Sequence, residues 1–169
     1  MKTDGLTDTL VTLMGELVDG PPGAGAYMLN RGDTGLLRSL DMLTARDASA
    51  SVPGGATVAA HVDHLRYGLS LLNRWSAGEN PFTSADWSVS WRKTSVTDAE
   101  WQELRAALRT EAHRWLDTLR TPREVSAVEM NGLVGSVAHL AYHLGAIRQI
   151  NRQARGPAEP GPSAGANVA

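Results

Sequence analysis

The stretch NGLVGSVAHLAYHLGAIRQINRQAR, residues 131–155, decides the fold class. Leu140, Leu144, Ile147 and Ile150 recur three or four residues apart, the spacing of one helix face. Arg148, Gln149 and Arg152 fall on the opposite side. The pattern predicts a long helix from about Asn131 to Arg155, buried along one edge.

Outward from that segment the same period repeats. Thr97-Asp98-Ala99-Glu100 is a capping box opening a helix to about Arg120, where Thr121-Pro122 ends it. A further helix is expected from about Ala56 to Ser76, with Thr57 as its amino-terminal cap. Leu6, Leu10, Leu13, Met14 and Leu17 form an apolar stripe that predicts a helix from Leu6 to Val18. Asp19-Gly20-Pro21-Pro22-Gly23 stops it, and a short helix is expected from about Asp33 to Leu43. No sustained period-two run competes. The reading is all-α: a four-helix bundle with a short extra helix between the first and second long helices, over residues 1–155. The proline-, glycine- and alanine-rich residues 156–169 read as a disordered carboxy-terminal tail.

The histidines fall on these helices in a telling way. His139 and His143 are four apart and stack on one face, at the edge of the apolar arc. Gly132, Ser136 and Ala146 share their stripe and leave room beside them. On the second long helix His64 borders an arc of Val58, Leu65, Leu69, Leu72 and Trp75, with Gly68 one turn on, whereas Asp63, Arg66, Ser70 and Arg74 point elsewhere. His61 lies about 60° further into that arc, so either histidine could reach the same point. Zinc and similar cations accept neutral imidazole nitrogen at about 2.0–2.1 Å. A three-histidine set leaves a fourth position for water or substrate. The competing reading is a pair of edge histidines bonded to backbone or water.

Composition narrows the function classes. The chain has 169 residues, 16 basic and 18 acidic side chains and a formal net charge of −2, so it lacks the basic stripe that nucleic acid requires. It has no cysteine, which excludes disulfides, iron–sulfur clusters, thiolate zinc sites and a cysteine nucleophile. The opening MKTDGLTDTL carries charges and no apolar run, so no signal peptide is expected. No apolar run approaches the roughly 20 residues that span a bilayer. A cytoplasmic protein with no membrane or nucleic-acid partner is the expectation.

Two motifs carry a family resemblance. Thr57-Val58-Ala59-Ala60-His61-Val62-Asp63-His64-Leu65 resembles the DinB/YfiT-like segment in which a serine- or threonine-started helix bears a metal histidine immediately before leucine. His139-Leu140-Ala141-Tyr142-His143-Leu144-Gly145 is similar to that family's last-helix motif. The resemblance spans about Leu6 to Arg155. It implies one divalent metal, zinc or nickel, held by His64, His139 and His143. It also implies a thiol-dependent transferase using mycothiol or bacillithiol on a small-molecule substrate, and a homodimer. The choice of His64 over His61 comes from the resemblance, which makes His61 a pocket-wall group that orients a ligand, or the alternative ligand. The alternative function is a non-catalytic binding or stress-response bundle with a structural or adventitious metal.

Other residues are pocket candidates on weaker grounds. Glu111 stands on the line Trp101, Leu104, Leu108, Trp115, where an apolar residue would be expected; it faces either the pocket or solvent at the stripe's margin. Trp87 and Trp91, in the irregular connection 78–93, either roof the metal pocket and bind an apolar or planar ligand or cap the bundle end. Gly68 and Tyr142 complete the set, Tyr142 as pocket rim or dimer surface. Trp75, Trp101 and Trp115 read as core, and His113 as exposed. No catalytic acid or base is identified.

Overall fold

The computed structural model describes residues 4–158 apart from Ala24 and Pro122. Four long helices, α1 (Asp4–Asp19), α4 (Val58–Ser76), α5 (Asp98–Leu119) and α6 (Ala127–Ile150), are joined by two short ones, α2 (Gly35–Asp41) and α3 (Ala45–Ala48). Three 3₁₀ turns, at Pro81–Ser84, Val89–Arg92 and Arg152–Ala154, complete the order. The described residues are all-helical. An isolated β-bridge pairs Ser51 with Thr57.

Caps explain where the helices start. Thr57 accepts from the Ala60 amide at the head of α4, and Thr97 and Glu100 form the expected capping box on α5. The last helix begins four residues earlier than its apolar pattern suggests, because Ser126 and Glu129 form a further capping box. It stops at Ile150, five residues short, where Asn151 turns extended and caps the following 3₁₀ turn. Between α1 and α4 there are two short helices rather than one; Thr44 and Asp47 cap the second with a box of their own. At the end of α5, Pro122 lies outside the described residues.

The long helices share one core. Both α1 and α4 pack on α5 and on α6. Met14 and Leu17 from α1, Leu65 from α4, Trp101, Leu108 and Trp115 from α5, and Leu140, Leu144 and Ile147 from α6 are buried together. The Trp115 indole crosses from α5 to donate to Ser136 Oγ on α6 (2.9 Å), and Trp101 donates to the Leu43 carbonyl (2.8 Å). Each large ring thus keeps its polar edge paired. Trp75 departs from its expected core position: it is only partly buried, with its ring against α6 at Gly132.

Two polar ties hold the connections to this core. Glu16, fully buried on α1, accepts from the backbone amides of Tyr27, Met28 and Leu29 at 2.6–3.1 Å. Asp33, also buried, accepts from the Gly35 amide and from Arg148 Nη2 (2.8 Å each). Arg148 Nε also donates to the Ala154 carbonyl, so the end of α6 is tied to the start of α2. Gly20 and Gly35, at φ +97° and +72°, let the end of α1 meet the start of α2; a Cβ on Gly20 would lie 2.5 Å from the Asp33 carbonyl oxygen. The chain continues along this side through Pro157, whose carbonyl accepts from Asn30. Of the tail expected over 156–169, residues 159–169 lie outside the described residues.

Glu16→Ala should cost about 3 kcal/mol, since it strands amides that the carboxylate satisfies. Urea denaturation should show a lower midpoint with an unchanged slope. An unchanged midpoint would mean that the Tyr27–Leu29 amides find water without loss.

Candidate metal centre

The facing sides of α4 and α6 bring four histidines together. His61 and His64 are one turn apart on α4, and His139 and His143 one turn apart on α6. His64 and His143 are buried, at 8% and 3% exposure, and the other two are half-buried. His139 Nε2 lies 3.1 Å from His64 Nε2 and 3.0 Å from His143 Nε2. His64, His139 and His143 each present one ring nitrogen within 4.8 Å of the others.

Imidazole chemistry makes this arrangement one that could hold a cation. A neutral ring carries one N–H and one bare nitrogen. His139 Nε2 can therefore share a proton well with one of its two neighbours, and the other contact is left without one. A divalent cation accepts a lone pair from each nitrogen and removes the conflict. Nitrogens at tetrahedral positions about one zinc ion would stand ~3.3 Å apart, close to the two spacings about His139 Nε2.

His61 has a different place. Its Nδ1 lies 2.9 Å from His143 Nδ1, the ring nitrogen that points away from the cluster. With His143 Nε2 bare toward the cluster, its Nδ1 carries the proton and donates to His61. His61 thus holds the His143 ring in orientation. The Nδ1 of His64 is buried without a partner among the described residues.

Burial keeps these rings neutral. It pushes the His64 pKa down to about 4 and that of His143 to about 3. The neighbouring imidazoles push both further the same way, and the Asp63 carboxylate only partly offsets this at His64. Burial lowers His61 and His139 as well. Neutral imidazole is the form that binds metal.

The connection 78–93 lies over one side of the cluster. Trp91 stacks on His64, with centroids 4.5 Å apart and 30° between planes, and sets its ring against His61 and His143. Asp63 fastens this strap. It is buried under the connection rather than turned outward as the helical wheel suggests, accepting from Ser90 Oγ (2.7 Å) and from Arg66 Nε (3.0 Å). Thr57 adds a second tie, its hydroxyl donating to the Lys93 carbonyl (2.6 Å), and Tyr67 Oη a third, accepting from the Asp86 amide (3.2 Å). A sequence signal existed for Asp63 only in hindsight, because its partner Ser90 is 27 residues away.

On the other side a cleft of about 640 Å³ opens from His64 and His139, with Gly68, Trp75, Phe82 and Trp87 among the lining residues. Gly132 and Ser136 line it as their stripe suggests, joined by Val128 and Gly135, which sequence reasoning passed over. Glu111 does not line it. That side chain accepts from Asn73 Nδ2 (2.6 Å), on the part of α4 that packs against α5. Tyr142 is 71% exposed, its ring edge against His143. His113 is half-exposed beside Asp19, and Glu79 and Asp86 bond to Arg74 and Ser88.

No family model, curated protein or solved structure matches this chain. Its function is therefore read from the chemistry of the cluster.

The lowered histidine pKa values set a pH dependence. Unfolded imidazoles protonate near 6.5, whereas folded His64 and His143 do so near 4 and 3. Between those values the unfolded chain binds more protons, so this stability is full above about pH 6.5 and lost as pH falls. In chelator-treated protein, urea midpoints should decline from about pH 7 to about pH 4, and less steeply in His143→Gln. A flat profile in the unmutated protein would show that these rings titrate normally.

Proposed function

We propose that this chain is a divalent-metal protein of the DinB/YfiT-like type, a four-helix bundle holding one zinc or nickel ion on His64, His139 and His143. One observation carries the reading: three ring nitrogens, kept neutral by burial, converge from two helices with a fourth imidazole orienting one of them. The two histidine motifs that resemble the family are the segments that supply these rings.

The proposed activity is metal-dependent thiol transfer. A bound cation would supply Lewis acidity, keeping a thiol such as mycothiol or bacillithiol in its thiolate form at neutral pH. The protein's own part is to hold three rings in place, with Trp91 excluding water from one side. No carboxylate lines the cleft among the described residues. That favours a thiol, which needs no separate base, over hydrolysis by an activated water. A cytoplasmic homodimer completes the proposal. Residues 130–147 of α6 contain no Asp, Glu, Lys or Arg, and Val134 and Tyr142 are exposed there. No helix of the described residues is long and apolar enough to cross a membrane.

Metal analysis of untagged, metal-supplemented protein should find about one ion per chain. His64→Ala and His139→Ala should each abolish tight binding, whereas His61→Ala should weaken it by roughly 10–100-fold. Loss of the ion in His61→Ala with retention in His64→Ala would reassign the third ligand. A conjugation screen with several small thiols tests the chemistry. Metal binding without any thiol binding would favour the non-catalytic bundle.

A further inference from the structure

The two tryptophans of the connection divide the surroundings of the cluster between them. Trp91 stacks on one face of His64 and sets its ring against His61 and His143. Trp87 instead forms a wall of the cleft, which His64 and His139 line and His143 does not. A molecule approaching the convergent nitrogens through the cleft therefore meets the His64–His139 edge.

The cleft is built for an apolar guest. Trp75, Phe82 and Trp87 give it aromatic walls, with the Trp75 and Phe82 rings edge to face at 5.7 Å. Phe82 and Trp87 remain 38% and 40% exposed, so both cleft walls keep open aromatic surface. The space itself comes from missing side chains. A Cβ on Gly132 would meet the Trp75 ring at 2.8 Å, and one on Gly68 would stand 3.5 Å from Trp87 and 3.6 Å from His139. Among the described residues no Asp, Glu, Lys or Arg lines the cleft, so a charged group there would find no counter-charge. The Ser136 hydroxyl is already occupied, accepting from Trp115 and donating to the Leu133 carbonyl. At about 640 Å³ the volume lies within the range of small-molecule sites, roughly 300–1,000 Å³.

We infer that this cleft binds the uncharged, planar aromatic part of a small molecule and delivers its polar end to the His64–His139 edge of the cluster. The polar end rests on the metal reading above. The aromatic part stands on the cleft alone, and the two can be tested separately.

The full chain, stripped of metal, should enhance the fluorescence of the neutral probe N-phenylnaphthylamine. Cobalt(II)-loaded protein should then be titrated with imidazole and with phenylimidazole, following the visible cobalt spectrum. Phenylimidazole should bind at least about tenfold more tightly, because its ring is buried in the cleft. Gly135 is an exposed cleft residue whose added Cβ meets nothing within 4 Å, so Gly135→Leu should fold normally and fill the space. It should remove both the probe fluorescence and the advantage of phenylimidazole while leaving the cobalt spectrum intact. Trp87→Ala should weaken both without displacing cobalt. Equal affinity for the two imidazoles in loaded, unmutated protein would overturn the inference, as would probe fluorescence that persists in Gly135→Leu. Failure to bind cobalt, with probe binding still lost in Gly135→Leu, would remove the metal reading and support the aromatic site.

Discussion

Four imidazoles occupy one space between α4 and α6, and low dielectric surroundings keep them uncharged. That constraint shapes what lies around them. A buried imidazolium among three neighbours would suffer both desolvation and like-charge repulsion, so the rings stay neutral and their bare nitrogens are available. Neutral rings still need partners. His61 and His143 share one proton, while the nitrogens of His64, His139 and His143 meet where one proton cannot serve every contact. Three such nitrogens could hold a cation, which would meet the contacts that protons alone leave unmet.

The connection between α4 and α5 depends on the same helix face. It is irregular, and most of its residues are exposed, so little apolar burial holds it down. Polar ties do so instead: Asp63 to Ser90, Thr57 to Lys93 and Tyr67 to Asp86. All three anchors stand on α4 or at its cap. The helix that supplies His61 and His64 therefore also sets the position of Trp91 above them. A rigid element serves the site better than a loop would, since both the nitrogens and their cover inherit its geometry.

Two carboxylates outside the cluster, Glu16 on α1 and Asp33 just ahead of α2, fasten the connections. Each is a buried carboxylate, and each is satisfied by several donors, in keeping with the cost of burying a charge unpaired. Through Arg148 this network reaches α6 itself. The helix bearing His139 and His143 is consequently fastened at its carboxy-terminal end by polar bonds and along its buried face by Leu140, Leu144 and Ile147.

Much of this was legible in the chain. Helical period and capping residues located the four long helices, since both signals are local and act within a few residues. The i, i+4 pair His139 and His143 shared a face for the same reason, and His64 and His61 bordered an inward arc. The ends of α6 depart from its apolar pattern because the Ser126 box and Asn151 set them. Tertiary structure alone decided the rest. It separated the two α4 histidines, turning His64 toward the Nε2 atoms of α6 and His61 toward the far nitrogen of His143. It turned Asp63 inward, took Glu111 to Asn73, and gave Trp91 and Trp87 different tasks. Those outcomes depend on partners tens of residues away, and only the packing of α4 against α5, α6 and the connection brings them within hydrogen-bond range.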